Sequence, residues 1–393
     1  MTLLNNAKII TTATGSKAGT LYSIKPDTGL ADLDITRATT ATRVNSSGII
    51  ETVAVDVPQL DYTDATCPSF MVEQQRTNLH LYSEELDNAA WIPGDVTVSA
   101  NAITSPDGTT NADECTTPNI YASMYQNVSL STFSHYTYSF YAKRGTMTDV
   151  KMLISNRNGD GQYVSQTSYY SQISATDWSR ISVTFTTGSN AGDTFFYPIQ
   201  YSGVTGTIYL WGFQLEQNFY SGTHFYKTSS YIPTTSATVT RNLTAFSKTG
   251  LSSLMSSTEG VFYAEIEPFP NGGYSIMSIG ANSNNFISIG SSGSGSLFLG
   301  ININGSWWVI NSGVSKGSGT LKIAAKYKSG DSAFWLNGVE VVTDTDTGVA
   351  SSTFDSIFNG YANLGAWDFN GRIYQMQVYD AILTDAQLLA LTT

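Results

Sequence analysis

Charge is the first scarcity. Of 393 residues only 13% are Asp, Glu, Lys or Arg, about half the ~25% of an ordinary globular chain. Lys and Arg number 19 against 31 Asp and Glu, a net charge of −12. A surface that tracks phosphates needs clustered cations, so nucleic acid is excluded as a partner. Cysteine is almost missing: Cys67 and Cys115 cannot make a disulfide framework. They fall in different predicted domains and are expected as free, buried thiols. No run of 18 apolar residues occurs, which excludes a spanning helix and membrane insertion by one. Residues 1–10 (MTLLNNAKII) lack the basic start and apolar stretch of a signal peptide, so synthesis inside a cell is expected. The three histidines, His80, His135 and His224, are far apart and read as isolated surface or turn residues, not as metal ligands. Neither a heptad run nor a fixed repeat is present, which excludes a coiled-coil stalk, a solenoid and a propeller.

Aromatics are abundant instead. Hydrophobic residues make up 41% of the chain, with 23 Tyr, 18 Phe and 7 Trp. That excludes disorder and supplies more than one core. Period-two alternation dominates, as in residues 136–142 (YTYSFYA), 181–186 (ISVTFT), 208–215 (IYLWGFQL), 261–267 (VFYAEIE), 321–327 (LKIAAKY) and 373–379 (IYQMQVY). Such runs are half-buried strands, and the Ser, Thr, Asn and Gly between them are turn material. One helix is predicted, at the C-terminus, where Thr384-Asp385-Ala386-Gln387 reads as a capping box before Leu388, Leu389 and Leu391. The fold class is therefore all-β and antiparallel, of sandwiches or jelly rolls. Composition and strand density divide the chain at residues 1–78, 79–244 and 245–393.

A family resemblance rests on particular residues. Pro58-Gln59-Leu60-Asp61-Tyr62, Val72-Glu73-Gln74-Gln75-Arg76-Thr77-Asn78-Leu79, Tyr82-Ser83-Glu84 and Asn88-Ala89-Ala90-Trp91 resemble a module of tailed-phage virion proteins. Gln59 and Gln74 stand where that family often has Arg and Pro, while the spacing is kept. Residues 79–244 resemble the carbohydrate-binding jelly rolls that follow this lead-in, through Ser105-Pro106-Asp107-Gly108, Trp178, Gly212-Phe213-Gln214-Leu215-Glu216 and Ser230-Tyr231-Ile232-Pro233-Thr234. Residues 245–393 look like a concanavalin A-like (laminin-G-like) sandwich, through Phe334-Trp335-Leu336-Asn337-Gly338, Gly371-Arg372-Ile373 and residues 378–384 (VYDAILT). The resemblance implies a short N-terminal virion-attachment segment (1–78), a jelly roll, and a sandwich at the tip. It implies a head or tail fibre or spike that adheres to host surface glycans. Its partners would be other virion proteins and further copies of itself in a homotrimer, its place the virion assembled in the host cytoplasm. No cofactor is expected, although lectin-like folds of this kind often carry a structural calcium ion.

Asn156, Asn158 and Asp160 before Gly161 open like a calcium loop, but Thr167 stands where the closing Glu belongs, so a hairpin turn is expected. Asp344 and Asp346 likewise read as turn residues. Glu265 and Glu267 share a strand face and form the one acid pair suggestive of glycoside hydrolysis. A third acid two residues on is replaced by Phe269, and both Glu are expected to point to solvent. The chain is therefore read as a non-enzyme, with a glycan-degrading virion enzyme and a ligand-free capsid or baseplate part as rivals. Sugar binding needs ring faces beside Asn, Gln and Asp. Trp307 and Trp308 are adjacent in a strand and so face opposite sides. Trp367, Asp368 and Asn370, with Tyr361 and Asn363, form a second candidate set. Trp211, Phe213 and Trp335 are expected in cores.

Overall fold

A computed structural model describes residues 3–63, 66–156, 159–218, 228–268, 275–292, 295–315, 319–345, 348, 352–360 and 368–393. The protein is all-β and antiparallel: thirty strands are accompanied by three short helical segments among the described residues. The period-two runs lie in the strands His135–Arg144, Ser179–Thr186, Gly206–Asn218, Glu259–Pro268, Leu321–Lys328 and Gly371–Tyr379. The C-terminal helix Asp385–Thr392 has its capping box: Gln387 N donates to Thr384 Oγ1, and Thr384 N donates to Gln387 Oε1.

The central module is a jelly roll. Two five-stranded sheets face each other across a core that includes Trp91, Tyr138, Phe140, Phe196 and Phe213. The long strand Gly206–Asn218 changes phase part-way. Gly212 adopts φ +66, and the register with His135–Arg144 slips between Ser139 and Tyr141. This is a bulge, which inserts one residue and turns later side chains over. Leu210 faces the core before it, and Phe213 and Leu215 after it. Trp211 faces outward before the bulge, and Gln214 and Glu216 are delivered to that outer face by it.

The C-terminal sandwich is built differently. Among the described residues one antiparallel sheet of sixteen strands folds over a main core. Fourteen run in a continuous path from Ser306–Ser315 to Val339–Asp344, and Gln59–Asp61 and Ser69–Val72 branch from it beside Gly371–Tyr379. Its middle is made by the beginning of the chain. Ala245–Lys248 pairs with Leu33–Thr36, which pairs with Thr20–Lys25, which pairs with Ile9–Lys17, which pairs with Gly371–Tyr379. Ile9 lies opposite Val378, and Ile9, Leu21, Leu33 and Phe70 enter the sandwich core. The expectation of a separate segment over residues 1–78 is thus corrected. Those strands carry too little apolar surface to form a core alone, and they bury it by joining the sandwich layers. The terminal helix covers the back of this sheet, where Leu388 packs with Tyr263, Trp335 and Tyr379.

Two further expectations change. Cys115 is buried, which pushes its thiol pKa up, but Cys67 is exposed. His80 is no surface residue: it is fully buried and stacks on Trp91 at 5.5 Å between ring centroids. His224 lies outside the described residues.

Candidate functional site

The family-like motifs converge where the two modules meet. Glu73 is 2% exposed and Arg241 1%, and their charges pair at 3.0 Å. The Glu73 carboxylate also accepts from Ser230 N (2.7 Å), Ser230 Oγ (2.6 Å) and Gln59 Nε2 (3.0 Å). Burial alone would raise its pKa, yet Arg241 and the Ser230 and Gln59 donors hold it below the usual carboxylate value. Gln59 Oε1 in turn accepts from Arg37 and Thr244, and Arg37 spends its remaining donors on the carbonyls of Thr39, Ala54 and Val57. Burial and the nearby Arg241 lower the Arg37 pKa to about 10.

Asn78 completes the joint. Its amide donates to the carbonyls of Phe213 and Ile232, and its oxygen accepts from His80 N and Leu215 N. All four side-chain bonds are made, the condition under which a buried amide is stabilising. Arg76 Nε lies 3.9 Å from Glu216, which also accepts from Ser229 N and Oγ. Tyr231 O–H donates to Glu84, and Thr234 N donates to Ser83 Oγ. The motifs that carry the phage resemblance therefore form a hydrogen-bonded clasp between jelly roll and sandwich.

Beside the clasp lies a cleft of about 710 Å³, within the ~300–1,000 Å³ of typical ligand sites. The hairpin of Ala41–Val44 and Ile50–Val53 forms one wall. The outer face of the jelly roll forms the other, with Tyr141 on His135–Arg144 and Trp178 and Arg180 at Ser179–Thr186. Ser229, Ser230 and Tyr231 line it next to Arg372 of the sandwich. Trp178 Nε1 is fixed by the carbonyl of Thr104 at 3.0 Å. The Tyr141 ring sits 5.6 Å from Trp211 and 6.4 Å from Tyr231, in an aromatic layer. Ring faces beside hydroxyls and guanidinium groups can hold a saccharide by stacking and hydrogen bonds.

The residues singled out from sequence are distributed otherwise. Trp307 and Trp308 do face opposite sides of the sandwich sheet. Trp308 packs against the core; Trp307 is 38% exposed and lies over Gly300, where an added Cβ would meet its ring at 2.6 Å. Its ring is also 5.2 Å from Phe286. Asp368 is half-buried, which raises its pKa, and Asn370 is buried, its oxygen accepting from Gln74 N at 3.4 Å. Asn370 thus serves the clasp. Tyr361, Asn363 and Trp367 lie outside the described residues, as do Asn158, Phe269 and Asp346.

Glu267 is paired with Arg372 at 3.3 Å and also meets Tyr374 O–H. Asp160, the last acid of the calcium-like run, accepts from Gly188 N, Asn190 N and Tyr163 O–H, which ties two loops together. Among the described residues no group of three His, Cys, Asp or Glu is placed to hold a metal ion, and no helix is long and apolar enough to cross a membrane. Sequence reasoning missed the cleft residues Tyr141 and Arg180. Alternation does put Ser139 and Tyr141 on the face opposite Tyr138 and Phe140, so their outward direction was readable. The wall facing them was not.

No family model matches the chain, and no curated protein matches it. Among solved structures it is similar to the CBM40 of the Ruminococcus gnavus IT-sialidase (17% identity, 37% of this chain and 91% of that one, TM-score 0.32). Another is Domain 4 of AbnA, a GH43 extracellular arabinanase from Geobacillus stearothermophilus (19% identity, 44% and 82%, TM-score 0.33). A third is the enzymatically active domain of bacteriophage CBA120 tailspike protein 4 (14% identity, 36% and 21%, TM-score 0.30). Likenesses of this size carry no conclusion about the present chain.

Proposed function

We propose that the protein is a structural component of a tailed-phage virion, a head or tail fibre or spike, that adheres to host surface glycans through the cleft between its modules. The observation that carries the glycan reading is the cleft itself. Tyr141 and Trp178 line one wall, Ser229, Ser230 and Thr228 add hydroxyls, and Arg43 and Arg180 add fixed donors. Sugars present apolar ring faces and hydroxyl edges, and this lining answers both. The virion placement rests on the motifs now found in the clasp, with other virion proteins and further copies in a homotrimer as partners.

The chain binds and does not hydrolyse in this reading, because the Glu267 carboxylate is already engaged by Arg372 and Tyr374. A glycan array on the intact chain, repeated with Trp178→Ala, tests the adhesion. Signal on host-surface polysaccharide, reduced at least tenfold by the substitution, is the expected result. A blank array would leave the virion part standing as a ligand-free decoration. Mass spectrometry of purified particles tests the virion part by itself, and absence from them would remove it.

A further inference from the structure

Taking the glycan reading of the cleft as given, we infer that its ligand is an acidic saccharide whose carboxylate is met by Arg180. Three arginines, Arg43, Arg180 and Arg372, line this cleft, and three more, Arg37, Arg76 and Arg241, are buried behind it. Arg37 spends its guanidinium on carbonyls and Gln59, and four of the others have carboxylate partners. Arg43 pairs with Glu51 at 2.7 Å, Arg241 with Glu73 at 3.0 Å, Arg372 with Asp61 at 3.1 Å, and Arg76 approaches Glu216 at 3.9 Å. Among the described residues Arg180 has none. Its one terminal nitrogen donates to the carbonyl of Ser229 at 2.7 Å, the other to Ser139 Oγ at 3.2 Å. Its Nε is buried without a hydrogen-bond partner.

The guanidinium is held, not loose. Its Cζ lies 5.3 Å from the centroid of the Tyr141 ring, within reach of a cation–π contact. Ser139, Ser229 and Tyr141 fix its plane from three sides. Both carboxylates that line the cleft, Asp61 and Glu73, are neutralised by Arg372 and Arg241. The cleft of a chain with net charge −12 therefore offers one positioned cation without a counter-charge, beside the rings of Tyr141 and Trp178. A planar guanidinium matches a carboxylate in fork geometry and gives up its own hydration more readily than an ammonium does. A neutral sugar would leave that charge uncompensated, and a polyanion such as a nucleic acid would find only one such cation.

Calorimetry on the full chain tests this, with a panel of uronic- and nonulosonic-acid oligosaccharides, each beside its own carboxyl-reduced form. Binding to at least one acid, about tenfold or more tighter than to its reduced partner, is the expected result, roughly one charge-assisted bond. Arg180→Gln should erase the preference and Arg180→Lys should keep part of it, with thermal unfolding of both variants followed to confirm an intact fold. Equal binding of acid and reduced forms, or a preference that survives Arg180→Gln, would overturn the role of Arg180 while leaving a glycan site. Failure of every pair to bind would remove the glycan reading and this inference with it.

Discussion

The two modules reach similar antiparallel sandwiches by opposite routes. The jelly roll draws its core from residues 86–215, in one stretch. The sandwich draws its core from residues 9–72 and again from 246–378. Its central pairing, Ile9 against Val378, cannot form until almost the whole chain exists. Loop closure over such a distance costs entropy before any contact repays it, so the jelly roll is expected to fold first. The clasp holds the two together with buried charge, where each module's interior is apolar and aromatic.

Deleting residues 1–36 should produce the largest effect. The three strands that join the sandwich layers would be lost, and the edges of Gly371–Tyr379 and Ala245–Lys248 would be bared. Limited proteolysis should then degrade residues 245–393 while a fragment over 79–218 persists. Equal resistance of both modules would show that the sandwich closes without its N-terminal strands.

Next comes the clasp. Glu73→Ala leaves Arg241 buried without its partner, and loss of one member of such a pair costs about 3–5 kcal/mol. Urea unfolding of the variant should show that loss. A change below about 1 kcal/mol would mean that Gln59 and Ser230 re-satisfy Arg241, and that the pair matters little to holding the modules together.

How much of this was legible beforehand differs by region for physical reasons. Strand alternation revealed the jelly roll because its core positions are sequence neighbours, Tyr136, Tyr138 and Phe140 on one side and Ser139 and Tyr141 on the other. The capping box at Thr384 was legible because its bonds are local. Ile9–Lys17 was not, since nothing in IITTATGSK names Gly371–Tyr379 as its partner. Gly212 hid the phase change that sends Gln214 and Glu216 to the clasp, because a glycine in a strand does not declare a bulge. His80 departs from the exposure its polarity predicts because Gln126, distant in sequence, satisfies its Nδ1 in the core. The cleft needs both walls, and only the tertiary fold brings the 41–53 hairpin over Trp178.

Acidification separates the jelly roll from the clasp. Burial lowers the His80 pKa to about 4, so the folded state prefers its neutral ring. With the folded value below the unfolded ~6.5, that stability is complete above pH 6.5 and is lost as pH falls toward 4, a change of about 3 kcal/mol. Asp113 opposes it, because burial raises its carboxyl to about 6, and its folded form gains stability as pH falls through the same window. Glu73, held below its ordinary value, keeps its contribution down to the ordinary glutamate range and loses most of it only at lower pH. The cost of His80→Gln should therefore shrink by roughly 2–3 kcal/mol between pH 7 and 4.5. The cost of Glu73→Ala should change by no more than about 0.5 kcal/mol over that range. A pH-independent cost for His80→Gln would indicate that the ring is solvated in the folded protein.

The smallest effect should come from an ion pair that joins the same distant parts of the chain as Ile9 and Val378 do. Lys8 and Asp380 meet at 3.3 Å, with side chains 43% and 40% exposed. Exposed pairs lose to solvent and side-chain entropy most of what they gain, so a double-mutant cycle on this one should give less than about 1 kcal/mol. The strand pairing beside it buries Ile9 and Val378 completely, and Ile9→Ala should cost about 2–5 kcal/mol. Both contacts span the same loop of chain, so the loop-closure entropy is common to them and cancels from the contrast. What remains is burial alone. If the Lys8–Asp380 cycle approached the cost of Ile9→Ala, closure of the sandwich by its N-terminal strands would be electrostatic, and high salt would open it.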